Sequence, residues 1–179
     1  MRPMLRIRAM GEPDVADVSA IRVLGWRHAY AGLLPQGYLD AMDPAEDAAR
    51  RREWLARSAG RVHNLVAEEA APDGTASLVG WAAFGPYRGE DTGAAVGELY
   101  ALYVRPDRIG TGTGRALTAE AIRRSAELGR TRLALWVLTG NARARRFYAA
   151  AGFRPDGATM TELYDGVPVE ETRYTRALG

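Results

Sequence analysis

The chain has 179 residues, 47% hydrophobic and 26% charged, with a formal net charge of +2. That length suits one domain with a full core, and no apolar run approaches the ~20 residues of a membrane span. There is no Cys, no Lys, and only His28 and His63. This excludes disulfides, a thiolate nucleophile, a Cys- or His-based metal cage, Schiff-base chemistry and the lysine of a P-loop.

The N-terminus alternates apolar and charged residues from Met1 to Arg8. It reads as a strand over about residues 5–10 rather than a secretory signal, so a cytoplasmic location is expected. Val15, Val18, Ile21, Val23 and Leu24 form an apolar stripe that predicts a helix over 12–31, ended by Gly32 and Pro35. A polar-aromatic stretch around Tyr38 precedes a second helix over 44–58. On that helix Arg50, Arg51 and Arg52 lie near Glu46, Asp47 and Glu53 and read as a solvated face. The basic residues thus form no broad patch, and no nucleic-acid partner is expected.

Strands over 62–69 and 77–85 flank Pro72-Asp73-Gly74 as a hairpin, and residues 86–93 read as a loop. A strand over 96–105 leads into a glycine-rich turn and a long helix ending near Gly129. A short apolar strand follows over 132–138. Asn141 caps a further helix that stops at Gly152, and Asp165-Gly166 turns a terminal hairpin within 153–178. The order describes a mixed α/β sheet in a single domain over 1–179. Trp26, Trp54, Trp81 and Trp136 read as core.

The turn is the first feature that carries chemistry. Ile109-Gly110-Thr111-Gly112-Thr113-Gly114-Arg115 runs from strand to helix. Alternate glycines remove Cβ atoms from one side, so backbone N–H groups can face an anion at the positive end of the helix dipole. That is a pyrophosphate site, to which Arg115 can add a charge-assisted contact. A dinucleotide fingerprint does not fit. Its last glycine would fall on Arg115 or Leu117.

Together with a second motif, the turn resembles the GCN5-related N-acetyltransferase (GNAT) superfamily. Leu102-Tyr103-Val104 and residues 109–114 match the family's Leu-x-Val strand and its Q/R-x-x-G-x-G/A turn. Residues 141–153 match its Asn-x-x-Ala-x-x-x-Tyr-x-x-x-Gly-Phe helix. The position that carries Gln or Arg in the family is Ile109, so the turn must work through its backbone. The resemblance implies a mostly antiparallel sheet flanked by helices, with a splayed central strand pair.

The resemblance also implies acetyl-CoA as co-substrate, with no metal, and direct transfer of acetyl from the thioester to an amine on a small molecule or peptide. Leu102, Tyr103 and Val104 would hold the pantetheine arm. Asn141, Phe147 and Tyr148 would complete its site, and Arg143, Arg145 or Arg146 would reach the 3′-phosphate. Asn141, Arg145 and Tyr148 share a helical face. Tyr148 would protonate the leaving thiolate. Glu98, on one strand face with Tyr100, Leu102 and Val104 by alternation, would be the general base, with His28, Tyr30 and Tyr38 as the alternatives. His28 and Tyr30 would touch the acceptor. A different acyl-CoA, or an idle acyl-CoA-binding sensor, are the alternative functions, and a homodimer is compatible with the family.

Overall fold

The structure is a computed structural model, and it describes residues 4–90, 93 and 95–179. Met1 to Pro3, and residues 91 and 92 of the expected loop, lie outside the described residues. One seven-stranded sheet organises the chain. It comprises β1 (Met4–Ala9), β2 (His63–Ala70), β3 (Ala76–Pro86), β4 (Val96–Val104), β5 (Arg132–Leu138), β6 (Arg154–Tyr164) and β7 (Val167–Ala177). The strand order is β1-β2-β3-β4-β5-β7-β6. Every neighbouring pair is antiparallel except β4 and β5.

The helices are α1 (Val15–Ala29), α2 (Gln36–Asp40), α3 (Pro44–Ser58), α4 (Thr113–Glu127) and α5 (Ala142–Ala150). Their ends follow local chemistry. The Asp43 carboxylate accepts from the Ala45 N–H at 2.9 Å and Pro44 sits at the first turn of α3. Asn141 accepts from the Ala144 N–H at 3.1 Å and so caps α5, which stops at Gly152 with φ +90°. Asp165 and Gly166 both have positive φ, as a two-residue hairpin turn between β6 and β7 requires.

The two faces of the sheet bury different sets. Leu65, Val79, Phe84 and Leu133 pack with Leu117 and Ala121 of α4 and with Phe153 after α5. Val66, Trp81 and Ala83 pack with Val18 and Ile21 of α1 on the opposite face. Alternation within β2 separates Leu65 from Val66. No helix among the described residues is long and apolar enough to cross a membrane.

The structure corrects several expectations. The predicted helix over 12–31 divides into a 3-10 turn at Glu12–Asp14 and α1, which ends at Ala29. Asp14 is held at that junction by Arg8, at 2.7 and 2.9 Å, and accepts the Gly11 N–H. Tyr38 belongs to the short helix α2. Arg51 is buried rather than solvated. It bonds Asp47 at 3.0 Å and stacks on Trp81, with its guanidinium carbon 4.2 Å from the ring centre. Trp81 is core, whereas Trp54 is 38% exposed.

Candidate active site

Strands β4 and β5 pair at only three positions, the last being Glu98 with Ala134. Beyond that point β4 stays with β3 as far as Val104 and β5 stays with β7 as far as Leu138. The two strands therefore part, and the edges that face each other across the gap lack ladder partners.

A bulge accompanies the split. Leu99 pairs with Phe84 and Ala101 with Ala83, which leaves Tyr100 as the extra residue. Its hydroxyl donates to the Pro86 carbonyl, and its ring passes over Gly85, where a Cβ would stand 2.8 Å from that hydroxyl oxygen. The extra residue reverses the alternation. Leu102 shares a core cluster with Leu99, while Tyr100, Ala101 and Tyr103 pack toward α1. The expected common face of Glu98, Tyr100, Leu102 and Val104 is thus broken between Tyr100 and Leu102.

A cleft of about 750 Å³ runs along this gap. One end is the glycine turn. Gly110 and Gly112 have φ of +85° and +97°, and α4 begins at Thr113. The N–H groups of Gly110, Gly112, Thr113, Gly114 and Arg115 are bonded to no acceptor among the described residues. They form a concave donor cluster at a helix N-terminus, as an anion requires. A Cβ added at Gly114 would stand at ordinary contact distance from Phe147 and Val104.

The other end of the cleft is Tyr148. It is half-buried against Phe147 and Phe153, with ring centres 5.3 and 6.0 Å away. Burial raises its phenol well above the ordinary value, with Tyr103 adding to the effect, so it is held protonated. Its hydroxyl is bonded to no group among the described residues, which leaves the proton available to a ligand.

Of the residues expected to bind the donor, Leu102, Tyr103, Val104, Ile109 to Gly112, Gly114, Arg115, Asn141, Phe147 and Tyr148 all line the cleft. His28 and Tyr30 line it as well. The Thr113 side chain does not. It is buried beside Gly80 and Thr111, and only its N–H faces the turn.

Arg145 is also absent from the cleft wall. Its guanidinium donates to the Thr139 carbonyl at 3.0 Å and to the Tyr174 hydroxyl at 3.1 Å, tying α5 to β7. The face shared by Asn141 and Tyr148 turns at Arg145 toward the sheet, and Arg143 lines the cleft instead.

A second cavity of about 240 Å³ lies against the same strands and shares Tyr30, Leu99, Tyr100, Tyr103 and Trp136 with the cleft. Glu98 is in its wall, not in the cleft. It is 2% exposed and receives three hydrogen bonds from Arg88. The backbone N–H and Nε reach Oε2 at 3.0 and 3.3 Å, and Nη2 reaches Oε1 at 2.7 Å. Oε1 keeps one lone pair for a water.

The terminal hairpin supplies Glu162, Tyr164 and Glu171 to this cavity. Burial pushes the Glu171 carboxyl up, and Glu162 and Glu98 push it further, against the Tyr164 hydroxyl that donates to it at 3.3 Å and the positive charge of Arg88. Trp26 and Trp136, read from the sequence as core, are cavity walls. Sequence reasoning missed both because a tryptophan at an element position carries no mark of which side it faces. Arg88, in an expected loop, offered no signal at all.

The Acetyltransferase (GNAT) family matches residues 25–153. The uncharacterized N-acetyltransferase YuaI of Bacillus subtilis (strain 168) is 32% identical over 138 residues, 77% of this chain and 74% of that one. Two solved structures share the fold. One is the PaiA N-acetyltransferase of Thermoplasma acidophilum in complex with coenzyme A, with TM-score 0.74, 19% identity, and 97% and 99% of the two chains covered. The other is yncA from Salmonella typhimurium with its cofactor acetyl-CoA, with TM-score 0.71, 22% identity, and 98% and 95% covered. With the split strands, the donor cluster and the family match over most of its length, the chain belongs to the GNAT family of acetyltransferases.

Proposed function

We propose that the protein moves the acetyl group of acetyl-CoA directly to an amine on a small molecule or peptide. The observation that carries this is a single cleft. It joins the unbonded N–H groups of the glycine turn, the parted strands and the free Tyr148 hydroxyl. Those residues fit the donor's chemistry. The turn takes the pyrophosphate through five amides, so Ile109 in place of Gln or Arg costs no main-chain donor. The free edges of β4 and β5 take the pantetheine amides as a strand would, and Asn141 closes the arm's path. Arg115 is exposed and makes no ion pair among the described residues. With Arg143 it is placed for the phosphates.

The bound thioester supplies the acyl group. The chain positions it, which accounts for much of the rate. Main-chain N–H groups at the bulge polarise the carbonyl, and Tyr148 gives its proton to the departing sulfur. With no Cys in the chain, no acyl-cysteine is formed. Glu98 takes the amine's proton through a water at the free lone pair of Oε1, while Arg88 fixes the carboxylate.

Tyr148→Phe tests this reading. Acetyl-CoA affinity by calorimetry stays as in the parent, and turnover at saturating substrates falls by about 100-fold. Unchanged turnover removes Tyr148 as the acid. Glu98→Gln abolishes the acid limb of the pH–rate profile, and a profile that keeps it removes Glu98 as the base.

A further inference from the structure

A third hollow takes no part in the acetyl-transfer chemistry. It is a groove of about 520 Å³ between α1, α3 and strands β3 and β4, a size that suits a small molecule. Its floor carries Arg22, Asp47 and Arg51. The Asp47 carboxylate accepts at Oδ1 from Arg22 Nη1, at 2.8 Å, and at Oδ2 from Arg51 Nη2, at 3.0 Å. Two cations thus share one anion, and the floor keeps one positive charge. The other arginines of the groove have carboxylates of their own: Glu98 for Arg88, Glu53 for Arg57 and Glu46 for Arg50.

The floor also keeps free donors. Arg51 is 8% exposed, and burying a guanidinium is costly unless its N–H groups are met. Nε donates to Ser19 Oγ at 3.3 Å and Nη2 to Asp47, while Nη1 is bonded to nothing among the described residues. Nη1 is not sealed in. Among the described residues, the fully buried side-chain nitrogen without a partner is that of the Trp26 indole. The free end of Arg51 therefore reaches open space, and the groove is the hollow that Arg51 lines. Arg22 likewise donates only through Nη1.

The walls are flat. The Arg22 guanidinium lies 4.6 Å from the ring centre of Trp26, and Arg51 lies over Trp81, which stacks on Tyr103 with the ring planes 20° apart. Trp54 of α3 stands in the same wall, exposed and in contact with no other ring among the described residues.

We propose that this groove is a second ligand site, which takes a compact aromatic carboxylate. One carboxylate oxygen meets Arg51 Nη1 and the other a free donor of Arg22, while the ring of the ligand lies against Trp54. A planar fork of donors suits a planar carboxylate. Its single negative charge also matches the single surplus charge of the floor, which a phosphate dianion would exceed. Tyr100, Ala101 and Tyr103 line both the groove and the donor cleft, so β4 is the partition between them and the two sites fill independently.

Fluorine NMR titration of the intact protein with 4-fluorobenzoate tests this, with 4-fluorobenzamide as the uncharged isostere and acetate as a competitor without a ring. The benzoate is expected to saturate one site and to bind about 10- to 100-fold more tightly than the benzamide, the effect of a charge-assisted contact. Acetate displaces it poorly, and saturating acetyl-CoA leaves it bound. Arg22→Gln leaves Asp47 to balance Arg51 alone and brings the benzoate-to-benzamide ratio toward one. Trp54→Ala, at an exposed position that the fold does not need, weakens the benzoate by about 2- to 10-fold.

Equal binding of benzoate and benzamide, acetate competing as an equal, or an unchanged ratio in folded Arg22→Gln would each overturn the site. So would displacement by acetyl-CoA, which would put the benzoate at the glycine turn. Should Arg22→Gln fail to fold, Trp54→Ala decides, and parental affinity there overturns the site. Failure of acetyl-CoA itself to bind would overturn the acetyl-transfer reading alone, because the isostere and the two variants still judge the groove.

Discussion

The two hollows beside β4 are built by different means. The donor cleft is organised by main chain: amides of the glycine turn, the edges of two parted strands, and one capped helix. The small cavity is almost entirely side chain, gathered from α1, β4, β5 and the terminal hairpin. Backbone donors are the same in every chain that adopts the turn, so the donor side can keep its function with Ile109 in an unusual place. Side-chain walls change with every substitution, so the second cavity is where one member of a family becomes selective.

This contrast can be broken most sharply at Arg145, which lies on the donor-side helix but serves the sheet. Arg145→Ala is expected to cost about 2–3 kcal/mol of stability in denaturant unfolding, because two hydrogen bonds from a charged group are lost. Its acetyl-CoA affinity should stay as in the parent. Arg143→Ala should do the reverse, leaving stability alone and weakening CoA but not CoA lacking the 3′-phosphate. If Arg145→Ala selectively weakens the 3′-phosphate contact, its structural assignment fails.

Gly112→Ala comes next. The residue has φ +97°, and a Cβ there would stand in open space, so the cost is conformational and not steric. Left-handed backbone costs an alanine roughly 1–2 kcal/mol, and a turn that relaxes from it loses its donor cluster. Calorimetry should show acetyl-CoA binding weakened by about 5- to 30-fold. Unchanged affinity would mean that the donors are elsewhere.

Asn141 separates capping from ligand contact. Asn141→Ala should cost about 1 kcal/mol through the lost cap, whereas Asn141→Asp keeps the cap. Any loss of acetyl-CoA affinity in the Asp variant beyond that of the parent therefore measures a direct contact, and an Asp variant with parental affinity limits Asn141 to the helix.

The smallest effect is far from both hollows. Arg123, and then Arg124, hold the Glu120 carboxyl down at about 2. Its folded-state value is depressed, so its stabilisation is complete above the ordinary carboxylate range and is lost as pH falls toward 2. On a helix surface it amounts to under about 1 kcal/mol. Melting curves of the parent and Glu120→Gln should differ slightly at pH 6 and converge near pH 2.

Much of the donor side was legible because its determinants are local. Gly110 and Gly112 announce positive φ, Asn141 announces a cap and Gly152 its stop. The helix over 44–58 and the strand over 132–138 follow from periodicity and turn residues, and the structure gives the same limits. Tyr100 shows where such reading ends. A bulge adds one residue to one strand, and the partner that skips it lies well back in the chain, at Ala83 and Phe84. Nothing within β4 marks it, yet it reverses the face of every residue that follows.

Glu162 and Glu171 illustrate the same limit. Composition places them in the terminal hairpin, but their meeting with Glu98 depends on β7 inserting between β5 and β6, with Leu138 opposite Glu171. The sequence by itself determined the elements, the anion-binding turn and the helix that carries Tyr148, since each is set by torsion preferences and hydrogen bonds within a few residues. Only the tertiary structure decided the strand split, the direction of Arg145 and the gathering of Glu98, Glu162 and Glu171 around Arg88. Those depend on long-range register, which places charges and rings from distant segments in one space.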